Sequence, residues 1–297
     1  MKSTEKKSTQ RLTPASFNAM GKKLSNLVKE LSDWIMRHDS DDSPLEQTPE
    51  TELLRAALFE LRLYFNATLN LEVTVAEFYS QYAQAGALAF LWQSLKGRGN
   101  PEEQKIYLLK VVVNFPSLPY EIRVLLFALG LNLEDFYLCF REPLDQLAAE
   151  FRDKVGAYGS YAGEDSHDSE IMGMLYGAFL KHYNPEMRKE KGYFTTPRPL
   201  VDFIVRSVDY ILKTKLDRPL GLADETLKIL DPAAGTGIFL ERVLHQAAKT
   251  ITGLRGEEAK APFLRRYLLN SLYSFETQFI PYFLSYLCRL DIVLAGS

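Results

Sequence analysis

The sequence is poor in cysteine, lacks long apolar runs and carries little net charge. Its two cysteines, Cys139 and Cys288, stand alone, so neither a disulfide framework nor the spacing of a zinc site is present. We expect both to be buried free thiols in a reducing cytosol. No run of about 18 or more apolar residues occurs, so no transmembrane helix is predicted. The net charge of −3 does not indicate nucleic-acid binding, although a local basic face remains compatible with it. These absences predict a cytoplasmic protein without a membrane span.

The 297 residues, 46% of them apolar, are sufficient for a large core. In most of the first half the apolar residues recur at helical spacing, and a polar Ser/Thr/Lys-rich stretch precedes them. We predict helices over residues 16–37, 52–69, 74–95, 102–113 and from 120 to about 155. The predicted organisation is a disordered tail (1–15), a helical domain (16–155), a Gly/Ser/Tyr/Asp-rich linker (156–168) and a second domain (169–297).

The second domain is predicted to centre on residues 227–240. Leu227 to Leu230 have the character of a short buried strand, a turn with Gly235 and Gly237 follows, and an amphipathic helix begins after it. This order is typical of an α/β sheet that holds a nucleotide-like cofactor at the carboxyl ends of its strands. A dinucleotide fingerprint needs a third glycine where Leu240 stands, and no Gly-Lys-Ser/Thr phosphate loop follows. The pattern therefore disfavours a pyrophosphate ligand.

The turn Asp231-Pro232-Ala233-Ala234-Gly235-Thr236-Gly237 resembles motif I of N6-adenine DNA methyltransferases, which use S-adenosylmethionine (SAM). Three segments before this turn resemble the sequence that leads into the methyltransferase domain of single-chain restriction–modification enzymes of the type IIG and type ISP kinds. They are Tyr183-Asn184-Pro185-Glu186-Met187-Arg188, Gly192-Tyr193-Phe194-Thr195-Thr196-Pro197 and Val201-Asp202-Phe203-Ile204-Val205. The resemblance spans about residues 75–290. It implies a mostly α N-terminal half followed by a Rossmann-like SAM-dependent methyltransferase domain, incomplete in this chain.

The resemblance also implies which residues hold SAM. Residues 192–197 match motif X, in which Phe194 would cover the sulfonium and Thr196 would offer a hydroxyl to the amino-acid part. Thr195 departs from the family, where an aromatic residue is usual. Asp231 would take the methionine amino group, and Ala233, Gly235 and Gly237 would pass close under the ligand. Without motif I, a Thr-Pro helix start and an Asp that caps its own turn would be the ordinary interpretations.

A second strand is predicted to end at Glu276, in the segment Leu272-Tyr273-Ser274-Phe275-Glu276. The segment resembles motif II, whose acid holds the ribose hydroxyls. An acid at the end of a second strand serves this purpose in other nucleotide-binding sheets. Helical sequence over 238–250 and 257–269 fills the long gap from Asp231. A third strand is predicted over Asp291 to Leu294. No metal ligands and no catalytic residues are predicted.

The family's catalytic Asn-Pro-Pro-Tyr/Phe motif is missing, because no Pro-Pro pair occurs in this sequence. The chain is therefore interpreted as the N-terminal, SAM-binding part of a site-specific adenine-N6 DNA methyltransferase of a restriction–modification system, inactive alone. Double-stranded DNA would be the partner of the complete enzyme. The chain would be either a fragment of a longer protein or one piece of a split enzyme, in which a second chain would carry the catalytic loop and the target-recognition domain. The alternatives are a non-catalytic SAM-binding or DNA-associated module, and an interaction protein that works through its helical half.

One stretch of the sequence is a candidate DNA contact. Its basic residues are Lys181, Arg188, Lys189, Lys191, Arg198 and Arg206. A solvated helix face is the commoner explanation of such a run, and both interpretations stay open.

Overall fold

The computed structural model describes residues 14–38, 49–67, 73–98, 100–159, 168–190, 193 and 195–294. The first part is helical: α1 (Asn18–His38), α2 (Pro49–Ala67), α3 (Val75–Leu95), α4 (Pro101–Asn114), α5 (Tyr120–Gly159), α6 (Asp168–Tyr183), α7 (Pro185–Glu190) and α8 (Arg198–Lys215). The remainder is β1 (Ile229–Asp231), α9 (Ile238–Arg255), α10 (Lys260–Asn270), β2 (Leu272–Ser274) and α11 (Phe279–Leu294). Short 3-10 helices lie at Pro14–Phe17, Gly221–Ala223 and Glu257–Ala259.

Helix α3 lies at the centre of the helical part. Its start is a capping box, in which Thr74 accepts from the backbone N–H of Glu77 while the Glu77 carboxylate accepts from that of Thr74. Its residues from Tyr82 to Ser94 are buried on all sides, as expected of a helix with little amphipathicity. The helix packs against α1, α5 and α11. The predicted central helix is thus confirmed.

Helix α6 joins the two parts of the chain. It packs against α1 and α11, and at its crossing with α1 a side chain at Gly21 would lie 2.5 Å from the carbonyl carbon of Ala178. Backbones approach this closely only where one residue has no Cβ. The division into domains at residues 156–168 remains a prediction. Helix α5 continues to Gly159, and residues 160–167 lie outside the described part.

Helix α5 is broken near its middle. Phe140 has a non-helical backbone (φ −124°, ψ 24°), and Pro143 follows inside the helix. Proline lacks the N–H that the helix needs and its ring crowds the preceding turn, which explains the kink. Cys139, next to the kink, is exposed, whereas Cys288 is buried, so the expectation of two buried thiols is wrong for Cys139.

The strands β1 and β2 form a two-stranded parallel sheet, with Ile229 opposite Leu272 and Asp231 opposite Ser274. The expectation of a buried strand is wrong, because Ile229 and Asp231 are only partly buried and Leu230 is 53% exposed. Leu230 shares its outward face with Tyr273. The predicted third strand over Asp291 to Leu294 is wrong, because these residues end α11. Buried side chains recur along α11 at helical spacing, so its short C-terminal β-branched segment continues the helix instead of starting a strand.

The described residues are therefore mostly helical with one small sheet, which confirms the helical first half of the predicted fold. Within them, no helix has the length and apolarity required to cross a membrane.

Candidate cofactor site

The turn after β1 is fastened to the chain that leaves β2. Phe275 donates its backbone N–H to the carbonyl of Asp231 (2.9 Å), and Ala234 donates to the carbonyl of Phe275 (3.0 Å). These bonds extend the pairing of the strands past their ends. Asp231, the glycine turn and Glu276 are thereby brought to one edge of the sheet, as the motif spacing predicts.

Asp231 uses only one of its two carboxylate oxygens within the chain. Its Oδ1 accepts from the backbone N–H of Ala233 (3.1 Å), which is the ordinary turn-capping role. Its Oδ2 is buried and has no hydrogen-bond partner among the described residues. Burial raises the pKa of this carboxyl, and so does the charge of Glu276, while the Ala233 bond and the charge of Arg289 lower it. A buried acceptor without a donor is costly, so this oxygen suits a donor supplied by a ligand.

Glu276 is held in place by backbone donors. Its Oε2 accepts from the N–H of Gly235 (2.9 Å), and its Oε1 accepts from that of Gln278 (2.8 Å). Oε1 also accepts from the hydroxyl of Thr277 (3.4 Å). A carboxylate oxygen has two acceptor sites, so Oε2 keeps capacity for a ligand hydroxyl. The carboxylate is thus oriented across the glycine turn without being saturated.

The two glycines of the turn have different surroundings. Both have positive φ, +55° at Gly235 and +89° at Gly237, which side-chain-bearing residues rarely adopt. A Cβ at Gly235 would meet nothing within 4 Å, whereas one at Gly237 would lie 3.0 Å from the Cβ of Ser285 in α11. Gly235 therefore borders open space where a ligand fits, and Gly237 allows α11 to approach the turn.

The segment that resembles motif X lies against α6 and the glycine turn. The ring of Tyr193 packs edge-to-face on Tyr176 (centroids 5.1 Å apart). Burial raises the pKa of Tyr193 above its usual range. A Cβ at Gly173 would lie 2.9 Å from Oγ1 of Thr236 and 3.3 Å from side-chain atoms of Thr195. Motifs X and I therefore meet across α6.

The structure describes only some of the other residues that are predicted to contact SAM. Thr196 is half-buried beside Thr195, and Phe194 lies outside the described residues. Ala233 is exposed on the turn and serves Asp231 through its N–H. Their contacts with SAM remain predictions.

Sequence reasoning missed Gly173 and Gly177, which let Thr195 and Tyr193 approach α6. Their spacing of four residues on one helix face was the available signal. It also missed Glu241, whose buried carboxylate accepts from the backbone N–H groups of Asp168 (3.1 Å) and Ser169 (2.8 Å). Burial acts to raise the pKa of Glu241, but bonds with His245 and Ser169 outweigh it, and the net direction is down. This acid ties α9 to the start of α6.

Several basic residues proposed for DNA are engaged within the chain. Lys181 donates to Asn18 (3.0 Å), and Arg198 pairs with Asp202 (3.3 Å). Arg206 lines a surface groove of about 680 Å³ along α8, whose lining includes none of the predicted cofactor residues. Lys191 lies outside the described residues. Among the residues that are described, no group of three or more His, Cys, Asp or Glu is arranged to hold a metal ion.

Residues 167–262 match the family model described as N-6 DNA Methylase. The match includes α6, the motif X segment, β1 and the glycine turn, about a third of the chain. No curated protein matches this sequence.

Two solved structures are similar over almost the whole chain. One is a nuclease-deletion mutant of the type ISP restriction–modification enzyme LlaGI in complex with a DNA substrate mimic (TM-score 0.50, 19% identity, 97% of this chain and 20% of that chain). The other is a DrdV–DNA complex (TM-score 0.47, 20% identity, 95% of this chain and 24% of that chain). The chain thus spans about a fifth to a quarter of these proteins. The LlaGI likeness concerns the fold.

Proposed function

We propose that this chain is the SAM-binding part of a site-specific adenine-N6 DNA methyltransferase of the restriction–modification type. The observation that carries the proposal is the buried, unpartnered Oδ2 of Asp231 at the end of β1, in a segment that matches the N-6 DNA methylase family. The ammonium group of SAM is a donor of the right charge for it. SAM would supply the methyl group for transfer.

The other predicted ligands support the same cofactor. Glu276 is held by two backbone donors and the Thr277 hydroxyl, and its Oε2 retains acceptor capacity for a ribose hydroxyl. The open space over Gly235 leaves room for the nucleoside to approach the backbone. Thr196 and Phe194 would close over the methionine end from the α6 side.

DNA as the substrate follows from the motif resemblance and from the family match of residues 167–262. The similar fold of LlaGI, a restriction–modification enzyme studied with a DNA substrate mimic, supports the same direction. The basic residues with partners inside the chain, Lys181 and Arg198, are the weaker candidates for DNA contacts.

Polypeptide outside this chain would complete the sheet and supply the catalytic loop. Leu230, Tyr273 and Phe275 lie on one face of the sheet and are 53%, 47% and 65% exposed. Parallel sheets are normally buried on both faces, because their crossover helices cover them. We propose that further strands and helices, with the Asn-Pro-Pro-aromatic motif and target recognition, pack on this face, from a continuation of the protein or from a second chain.

The second candidate is a non-catalytic SAM-binding or DNA-associated module. The lack of any Pro-Pro pair in the sequence favours it. The two functions differ when a polypeptide with an Asn-Pro-Pro-Tyr segment is added. Restored methyl transfer from labelled SAM to DNA supports the enzyme part, and binding without transfer supports the module. We expect no transfer by this chain alone, and robust transfer would refute a catalytic loop supplied from outside.

Titration calorimetry with SAM tests the cofactor site. We expect saturable binding by the chain, weakened by about 1–3 kcal/mol in Asp231→Asn, because the ammonium loses a charged acceptor. Asp224→Asn is the matched control, since this acid bonds to Thr226 and Arg218 away from the turn. Undetectable binding at millimolar SAM, or equal affinity of the Asp231 variant, contradicts the proposal.

A further inference from the structure

A buried arginine lies behind the predicted cofactor site. Arg289 of α11 is 1% exposed. Its Nε donates to the carbonyl of Ser285 (2.7 Å), and its Nη2 donates to the hydroxyls of Ser285 (3.1 Å) and Ser274 (3.4 Å). The guanidinium also lies over the ring of Tyr286, 4.5 Å from its centroid. Ser274 is the residue of β2 directly opposite Asp231, so this positive charge reaches the carboxyl end of the sheet.

The buried charge is not neutralised by a direct ion pair. In the described part of the chain no carboxylate lies within ion-pairing distance of Arg289, and its donors go to serine oxygens instead. A desolvated guanidinium without a counter-ion is costly, so the arrangement calls for an explanation. Asp231, the register partner of Ser274, has a buried oxygen without a hydrogen-bond partner among the described residues. Arg289 and Asp231 therefore carry opposite charges near the same strand ends, and neither uses the other as a hydrogen-bond partner.

We propose that Arg289 is a positioning residue that keeps Asp231 ionised for a cationic amino group while leaving Oδ2 free to bind it. The inference rests on the proposed SAM-binding function and deepens it. A direct Arg–Asp pair would occupy the oxygen that the ligand needs. A charge held back by Ser274 and Ser285 stabilises the carboxylate through space instead.

The charged and titratable groups around the pair agree with this role. Asp231 faces Arg289 from α11 and Glu276 from the chain after β2. Burial and Glu276 raise the pKa of Asp231, and Arg289 opposes them. Around Arg289 lie Tyr282, Tyr286 and Cys288, and burial raises the pKa of Tyr282 and of Cys288, so these two groups stay neutral. The net direction of the Asp231 pKa is up, so Arg289, together with the Ala233 hydrogen bond, offsets the effect of burial in part.

The test is the pH dependence of SAM binding in wild type, Arg289→Met and Arg289→Lys, with circular dichroism to verify folding. SAM binds the ionised carboxylate, so affinity falls as pH drops through the pKa of Asp231. Without the Arg289 charge that pKa rises, so the fall begins at higher pH in Arg289→Met, while Arg289→Lys keeps the wild-type midpoint. At pH values above this fall, the SAM affinities of the three proteins should agree within about twofold, because Asp231 is then ionised in each. A purely structural role would lower affinity equally at every pH, and that result overturns the inference.

A second measurement does not depend on SAM. Carbon-13 NMR of the Asp231 carboxyl in the ligand-free chain should show a titration midpoint at higher pH in Arg289→Met than in wild type. Asp224→Asn changes a carboxylate that bonds to Arg218 and Thr226 away from the turn, so in this control the Asp231 midpoint should equal that of wild type. If SAM does not bind at all but the midpoint shifts, the proposed function fails and the electrostatic role stands. If SAM binds and neither the midpoint nor the pH profile moves, the inference about Arg289 is wrong. Should Arg289→Met fail to fold, Arg289→Gln gives the same comparison.

Discussion

Alanine substitutions at Gly235 and Gly237 separate the ligand-facing part of the turn from its structural support. Both residues have positive φ, so a Cβ costs about 1–2 kcal/mol of strain at either position. At Gly235 nothing lies within 4 Å of the new carbon, so strain is the whole cost. At Gly237 the new carbon would lie 3.0 Å from Cβ and 3.3 Å from Cα of Ser285, and crowding of this kind adds about 1–3 kcal/mol. We therefore expect Gly237→Ala to lose about 2–5 kcal/mol of unfolding free energy and Gly235→Ala about 1–2.

For SAM affinity we expect the opposite order, with the ligand-facing Gly235→Ala more affected than its small loss of stability would explain. The added methyl of Gly235→Ala points into the space predicted for the cofactor, so this variant loses SAM affinity although it remains folded. Urea denaturation and titration calorimetry measure the two quantities on the same samples. The control is Gly253→Ala, in the exposed interior of α9 with nothing within 4 Å, which should be neutral or stabilise by roughly 0.5–1 kcal/mol.

Two outcomes would refute this reasoning. Equal destabilisation by the two alanines would mean that α11 does not crowd the turn at Gly237. Unchanged SAM affinity in a folded Gly235→Ala protein would remove the ligand from the space above this residue. Ser285→Gly sharpens the first test, because it should recover part of the stability lost in Gly237→Ala while destabilising the wild type.

Three further predictions concern the support of the site. Glu241→Gln should lower the unfolding free energy by about 1–3 kcal/mol at neutral pH. The folded-state pKa of Glu241 lies below its ordinary value of 4.5, so the difference from wild type is present above pH 4.5 and should disappear as the pH falls through the folded pKa. A pH-independent difference in urea denaturation would contradict this prediction. Asp291→Ala leaves the partly buried Arg98 without its carboxylate partner and Lys96 with Asp168 alone, and should cost about 2–4 kcal/mol. Loss of the exposed Lys260–Glu257 pair should change the denaturation midpoint little, and equal midpoints in the two variants would refute the distinction. Gly173→Ala should destabilise the protein, because the new Cβ would lie 2.9 Å from a threonine hydroxyl. Gly177→Ala should be tolerated, because its Cβ would lie 3.6 Å from the nearest neighbouring atom. The reverse order of melting temperatures would show that the motif X segment does not lie against this face of α6.

The helices were largely predictable because their signals are local. Apolar spacing, the capping box at Thr74 and Glu77, and the break at Pro143 all act within a few residues. The predicted third strand failed for a related reason: the three apolar residues Ile292 to Leu294 are compatible with either state, and the longer helical periodicity of α11 decides between them. The exposure of Cys139 lies beyond local signals, because it depends on which side of the kinked α5 is covered.

In the candidate site, too, some features could be predicted from local sequence and others depended on tertiary contacts. Motif spacing indicated Asp231, Gly235, Gly237 and Glu276, because a turn after one strand and an acid after the next meet at a single sheet edge. Their actual pairing, with the Gly235 N–H bound to Glu276, follows from the register of β1 and β2. The spacing of Gly173 and Gly177 indicates a glycine face on α6, but the local sequence does not show that Tyr193 and Thr195 lie against it or that an arginine of α11 reaches the same edge.

The sequence by itself determined the order of the elements, the glycine turn and the chemical type of the residues around it, because these depend on neighbours along the chain. Tertiary structure alone decided which carboxylate oxygen is left unpartnered, where Arg289 lies and which sheet face is exposed. The physical reason is that burial and electrostatic interaction depend on distances in space between segments far apart in sequence. The free oxygen of Asp231 and the charge of Arg289 come from segments 58 residues apart, numbered 231 and 289, and only the packing of α11 against the strand ends makes them neighbours.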